Sequence, residues 1–152
     1  MCHCAILSRL CANILSTTMN NAILVEAMRS AAAEAGYTLR CADPDRQTVS
    51  SSRFPAALLS PPVVHSARGR RHGRIEYDLS LRLSNPAADL PPAERYAARQ
   101  KIENDALRLF TALSDCDRII AVENLTVSQL PLSSSIHGEI AVLAKARVHT
   151  YF

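Results

Sequence analysis

The stretch MCHCAILSRLCANILSTTMN puts three of the protein's five cysteines in its first eleven residues. Cys2, His3, Cys4 and Cys11 are the residue types that ligate soft metals, since thiolate and imidazole suit zinc or copper(I). Their spacing matches none of the usual zinc patterns, so no metal site is assigned. An export signal would need a basic start, an apolar middle and a small-residue cleavage site. Here Arg9 interrupts the apolar stretch instead of preceding it, and Arg9-Leu10 before Cys11 fits a lipoprotein signal poorly. Residues 1–18 therefore read as an extension, a flexible arm or a start placed too early, ahead of one domain over 19–152.

Histidines are the next chemical candidates. His65, His72 and His137 stand in or beside apparent hairpin tips, where they could converge on a hydrolytic site. The chain has no G-x-S-x-G elbow, no H-E-x-x-H, no P-loop and no G-x-G-x-x-G to accompany them. Cys116, in SDCDR, lies between two aspartates at the negative end of a helix, which disfavours a thiolate. The expectation is a protein that is not an enzyme and holds no cofactor.

The most distinctive polar feature is HSARGRRHGR, with Arg68, Arg70, Arg71, His72 and Arg74. These side chains are the candidate partner-binding residues. Four cations could neutralise nucleic-acid phosphates, yet no aromatic residues are interleaved for base stacking. Arginine is equally suited to docking on an acidic protein surface. A third reading is a solvated tip whose charge discourages edge pairing.

The remaining elements must position these groups. At 152 residues, with 48% apolar and 20% charged side chains, the chain can bury one sizeable core. With no Trp, four Tyr and three Phe, that core is aliphatic. The net charge of +3 comes largely from the arginine loop, unlike a uniformly basic nucleic-acid binder. No apolar run reaches the roughly 18 residues of a membrane span. The odd cysteine count, with Cys41 and Cys116 isolated, argues for reduced thiols in a cytosolic setting.

Periodicity predicts a helix from about Ala22 to Ala35, capped by Asn20 or Asn21 and ended by Gly36. A short strand in YTLRCA, a loop in DPDRQTVSSSR and a proline-bounded strand in FPAALLSPP follow. In RIEYDLSLRLS, Ile75, Tyr77, Leu79, Leu81 and Leu83 alternate with polar residues, which implies antiparallel pairing with one face buried. Pro91 and Pro92 open a long helix whose Ile102, Ala106, Leu109, Phe110 and Leu113 form one stripe. Arg99, Glu103 and Arg108 lie on its other face. RIIAVENLTVSQLP and GEIAVLAKARVHTYF are the closing strands. RHGRIEYDL and IHGEIAVLA echo each other, with Gly73 and Gly138 supplying positive φ or close approach at each return strand. The fold class is α+β: a mainly antiparallel sheet of about five strands, with both helices on one face.

This order of elements resembles the tail terminator, or tail-completion, proteins of long-tailed bacteriophages and their neck and minor tail relatives. The resemblance rests on NAILVEAMRSAAAEAG, FPAALLSPP, HGRIEYDLSLRL, AERYAARQKIENDALRLFTALS and HGEIAVLAKARVHTYF, and covers nearly everything after Met19. It is one of pattern, with no invariant motif and no catalytic residue to carry over. It implies a virion structural subunit, assembled in the host cytoplasm, that forms a ring, commonly a hexamer. Such a ring caps the tail tube protein and joins it to the head–tail connector, while genomic DNA passes through the lumen without sequence-specific contact. No membrane is involved. The N-terminal extension departs from that pattern. The alternative is a small nucleic-acid-binding or regulatory α/β module that uses the arginine loop.

Overall fold

The structure, a computed structural model, describes residues 18–41, 55–69, 73–131 and 138–151. The helix α1 (Thr18–Glu34) is followed by β1 (Thr38–Cys41), β2 (Ala56–Leu59), β3 (Val63–Arg68) and β4 (Arg74–Asn85). The long helix α2 (Pro92–Ser114) then leads to β5 (Ile119–Gln129) and β6 (Ile140–Tyr151). The class is α+β, as the alternation and the helical stripe require. Among the described residues six strands form where about five were expected, because part of the arginine-rich segment is itself a strand. Cys2, His3, Cys4, Cys11 and the DPDRQTVSSSR loop lie outside the described residues.

Helix α1 begins earlier than the asparagine caps predicted. Asn20 is inside it and buried, so it cannot serve as the N-cap. Leu24, Met28, Ala31 and Ala32 form its buried stripe. The helix stops as Gly36 predicted: Gly36 N–H donates to the Ala33 carbonyl at 3.0 Å and Tyr37 N–H to Ala32 at 2.9 Å, with Gly36 at φ 85°. This pair of bonds is the Schellman ending that a left-handed residue permits. It also turns Tyr37 into the core, where its hydroxyl donates to Asp105 of α2 at 2.8 Å.

The sheet order is β1-β2-β4-β6-β5, with β3 paired to β4. Strands β4 and β6 run antiparallel over their full length, from Arg74↔Tyr151 to Asn85↔Ile140. Since β6 occupies one edge of β4 throughout, β2 and β3 share the other. Strand β2 takes residues 81–84 and β3 takes 74–78. Pro61 and Pro62 separate them; neither has an N–H to give to the ladder, so one strand becomes two. Among the described residues only β1 and β2 pair in parallel, in keeping with a mainly antiparallel sheet. Residues 42–55 between them give the chain enough length for the crossover a parallel pair needs.

Alternation along β4 holds at every expected position: Ile75, Tyr77, Leu79, Leu81 and Leu83 are buried beneath the helices. Val142, Ala144, Ala146 and Val148 of β6 join them, and Ile102, Ala106, Leu109, Phe110 and Leu113 of α2 close the layer. Of the three residues assigned to the outer face of α2, Arg108 is exposed and Arg99 partly buried. Glu103 instead accepts a hydrogen bond from the Gln129 side chain of β5, because the helix lies along that strand.

The His-Gly echo has a geometric counterpart. Sliding β4 onto β6 so that Gly73 falls on Gly138 also puts Ile75 on Ile140 and Ser80 on Lys145. Ser80 and Lys145 are themselves cross-strand partners. Of the two glycines, Gly138 has φ 69° and Gly73 is buried.

Candidate interaction surface

The β3–β4 hairpin, whose tip holds most of the arginine-rich segment, positions two of the five candidate residues. Arg68 and Arg74 are cross-strand partners at the hairpin end, both exposed. Like charges placed opposite each other repel, so this pair is stabilised by any anion brought to it. Arg70, Arg71 and His72 lie outside the described residues, as does His137. His65, expected in or beside a loop, is within β3 at a bulge between Val64 and Ser66.

Even-numbered residues of β4 and odd-numbered residues of β6 from Leu143 on point away from the helices, and their charges are knitted across four strands. Asp78 is the hub on one side. Arg147 Nε donates to its Oδ1 at 3.1 Å, and His65 Nδ1 is 3.1 Å from its Oδ2. Arg147 Nη2 is also 3.3 Å from His65 Nδ1. That nitrogen donates to Asp78 only when it carries a proton, and accepts from Arg147 only when it does not. The two contacts are alternatives set by tautomer and charge.

Two residues further along β6 from Arg147, His149 is buried although its position alternates with the core. Its Nε2 is 3.1 Å from Glu123 of β5, and its Nδ1 is 3.5 Å from Glu76 of β4. Glu139, just before β6, is also buried and accepts from Arg82 at 3.2 Å. Alternation assigns a face but not a depth: carboxylates lie near both ring nitrogens of His149, and Arg82 reaches Glu139.

The carboxylates of this surface are poised for ionisation. Glu76 is held below the usual carboxylate range by the Ser66 hydroxyl facing it across the ladder, and then by the charges of His149, Arg68 and His65, against a desolvation cost. For Asp78 desolvation pushes upward, but the hydrogen bond and charge of Arg147, then His65, carry it below its ordinary value. Both groups bind a proton more weakly folded than unfolded. Their stabilisation is complete above the unfolded carboxylate range, about pH 4, and is lost as pH falls through the lower folded values. Asp78 is half exposed, which keeps its share small. Urea denaturation at pH 7, 5 and 3 is expected to show a midpoint falling only toward pH 3, with a shallower fall in Asp78→Asn. An identical acid limb in that variant would contradict the assignment.

The described residues include the linings of two recesses. One, of about 370 Å³, lies between α1 and α2 beside Glu34, Lys101, Asp105 and Arg108. Asp105 there accepts from Tyr37 and, at 3.0 Å, from Lys101, while Asn85 donates to the Tyr37 hydroxyl at 3.2 Å. Burial and the adjacent Asp105 raise the Tyr37 hydroxyl far above its usual value. Sequence reading passed over this cluster, although Asp105 sits within the apolar stripe, three residues after Ile102 and four before Leu109. The other recess, of about 390 Å³, opens on the charged sheet face between Ser60, Pro61 and Val63 on one side and Asn124 on the other, with the cross-strand partners Ser80 and Lys145 in its lining.

Among the described residues no three metal-ligating side chains come together. None of their helices is long and apolar enough to cross a membrane. Cys41 is exposed and Cys116 buried, neither in a disulfide.

No protein-family model matches the chain, and no curated protein matches it. Among solved structures it is similar to the type 4 fimbrial biogenesis protein PilO from Pseudomonas aeruginosa, at 9% identity and a TM-score of 0.43, over 98% of this chain and 78% of that one. The likeness is too distant to assign a function.

Proposed function

We propose that the protein is a virion structural subunit of the phage tail-terminator kind, acting through self-assembly and docking. In this reading it forms a ring, a hexamer in the commonest arrangement, that caps the tail tube and joins it to the head connector. DNA passes through the lumen of that ring. The observation that carries the reading is the edge strand β3. Among the described residues it pairs only with β4, and its Val63 and Val64 are 62% and 55% exposed. An unpaired edge with adjacent exposed valines is a template for pairing with another chain. Closed rings of identical subunits use such heterologous contacts.

Light scattering and negative-stain imaging test it. The expected result is rings, formed alone or on adding tail-tube protein, that are lost when Val63 and Val64 are both replaced by Glu. Those positions are exposed, so the monomer's stability should shift by no more than about 0.5 kcal/mol. A protein that stays monomeric and has no affinity for tube or connector protein would falsify the reading.

The exposed Arg68–Arg74 pair favours one other reading, a small nucleic-acid-binding or regulatory module. It predicts oligonucleotide binding that weakens steeply with salt, with a smaller salt slope in Arg68→Ala/Arg74→Ala. An unchanged slope in that variant removes it.

A further inference from the structure

Strand β5 is held to β6 in pieces. Its register shifts between Ile119 and Ala121 and again between Glu123 and Thr126, where Asn124 has φ 55°. Between the two irregularities stands a short ladder: Ala121↔His149, Val122↔Val148 and Glu123↔Arg147. Among the described residues β5 pairs with no strand but β6, so this run has a neighbour on one side alone. Each irregularity interrupts the ladder, and a run bracketed by two of them opens more readily than a continuous strand.

A buried histidine reaches across that run. The His149 side chain is only 8% exposed, with its Nε2 3.1 Å from Glu123 Oε2 and its Nδ1 3.5 Å from Glu76 Oε1. Nδ1 is buried and makes no hydrogen bond among the described residues. A neutral imidazole has one N–H, so whichever nitrogen carries it, the other turns a lone pair toward a carboxylate. The imidazolium instead presents a donor and a positive charge to both. The other charges nearby do not replace it. On β3, the Ser66 hydroxyl and the charges of Arg68 and His65 act on Glu76, and on β6 Arg147 is engaged by Asp78. Arg74 of β4 and Tyr151 of β6 stand one step beyond, both exposed. Among the described residues, the ion pair of Glu123 is with His149.

We propose that His149 is a proton-operated clamp: its imidazolium ties the run Ala121–Glu123 of β5 to the β4–β6 centre, and its neutral form slackens that tie. The proton that leaves is the one on Nδ1, because Nε2 faces the nearer carboxylate and keeps its hydrogen there. The bond to Glu123 then loses the charge that strengthened it. The run is therefore held best below the pH at which the ring titrates and above the carboxylate range, and it slackens as pH rises through the ring's titration. The clamp acts on β5, across the sheet from β3, so it neither needs nor tests ring formation.

Two NMR measurements on the full chain, from about pH 5 to about pH 9, test it: the ring 15N shifts of His149, and amide hydrogen exchange corrected for its intrinsic pH dependence. The ring is expected to pass from imidazolium to the Nε2–H tautomer. Over the same interval, protection of those Ala121–Glu123 amides that bond to β6 should fall about fivefold, the difference between a charged and a neutral hydrogen bond. Thr126–Gln129 and β4 should not follow. In Glu123→Gln, made at a side chain 56% exposed and verified folded by its thermal melt, the step should shrink to less than about twofold. A ring that keeps one protonation state throughout, an Nδ1–H tautomer, or protection that ignores the titration would each overturn the proposal. So would a step that persists in Glu123→Gln.

Discussion

Phe110→Ala is expected to lower the unfolding free energy by about 3–5 kcal/mol, a large part of the 5–15 kcal/mol that holds a domain of this size. Phe110 stands first among the fully buried side chains by volume, on the α2 stripe that closes the layer over β4 and β6. The chain has no tryptophan and only three phenylalanines, so its small aliphatic neighbours have little bulk with which to refill the space. Part of the loss is transfer free energy and part is the cavity, whose lining loses dispersion contacts outright. Leu107→Ala, three residues away on the same helix but 46% exposed, is the control and should cost within about 0.5 kcal/mol. Urea midpoints with unchanged slopes measure both. A Phe110→Ala cost below about 1 kcal/mol would mean that α2 is not seated as described.

Gly138→Ala is expected to cost about 2–4 kcal/mol, from two sources that can be separated. Its φ of 69° is strained for any residue with a Cβ, by about 1–2 kcal/mol. The added Cβ would also meet the Ala88 Cβ at 3.0 Å and the Ala88 Cα at 3.2 Å. One of those neighbours is backbone in the β4–α2 connection and cannot rotate aside, so the connection has to shift. Gly36→Ala isolates the first source, since that glycine has φ 85° and nothing within 4 Å of its would-be Cβ. It should lose only the conformational part, about 1 kcal/mol. Adding Ala88→Gly to Gly138→Ala should recover the contact part, and a double-mutant cycle showing no coupling would remove the steric explanation.

These two positions show what the sequence could convey. Phe110 was legible because a helix repeats its faces every 3.6 residues, and four other apolar residues marked the same stripe. The β4 alternation was legible for the corresponding reason, with a period of two. Gly138 was legible as a turn residue, but its tight fit against Ala88 depends on a connection some fifty residues distant in the chain. Register, parallel pairing of the four-residue β1 and β2, and division of one edge of β4 between two strands are likewise long-range matters. The charged face was half legible. Alternation put the polar residues of β4, Glu76 and Asp78 among them, on one side, but which carboxylate meets which cation follows from register alone. His65 was misplaced because VVHSAR has β-favouring valines beside an arginine-rich run that reads as a loop. Tyr37 reaches Asp105 only because the Schellman turn aims it there.

The diproline break at Pro61–Pro62 has a further consequence. It uncouples the two halves of one sheet edge: β3 can peel from residues 74–78 while β2 keeps 81–84, and β6 still secures all of β4 from the other side. Local opening of this kind needs far less free energy than global unfolding. A segment that detaches at a hinge without disturbing the core is one that two copies of a protein can trade. The same prolines that end β2 thus confine an opening of β3 to its own half of that edge.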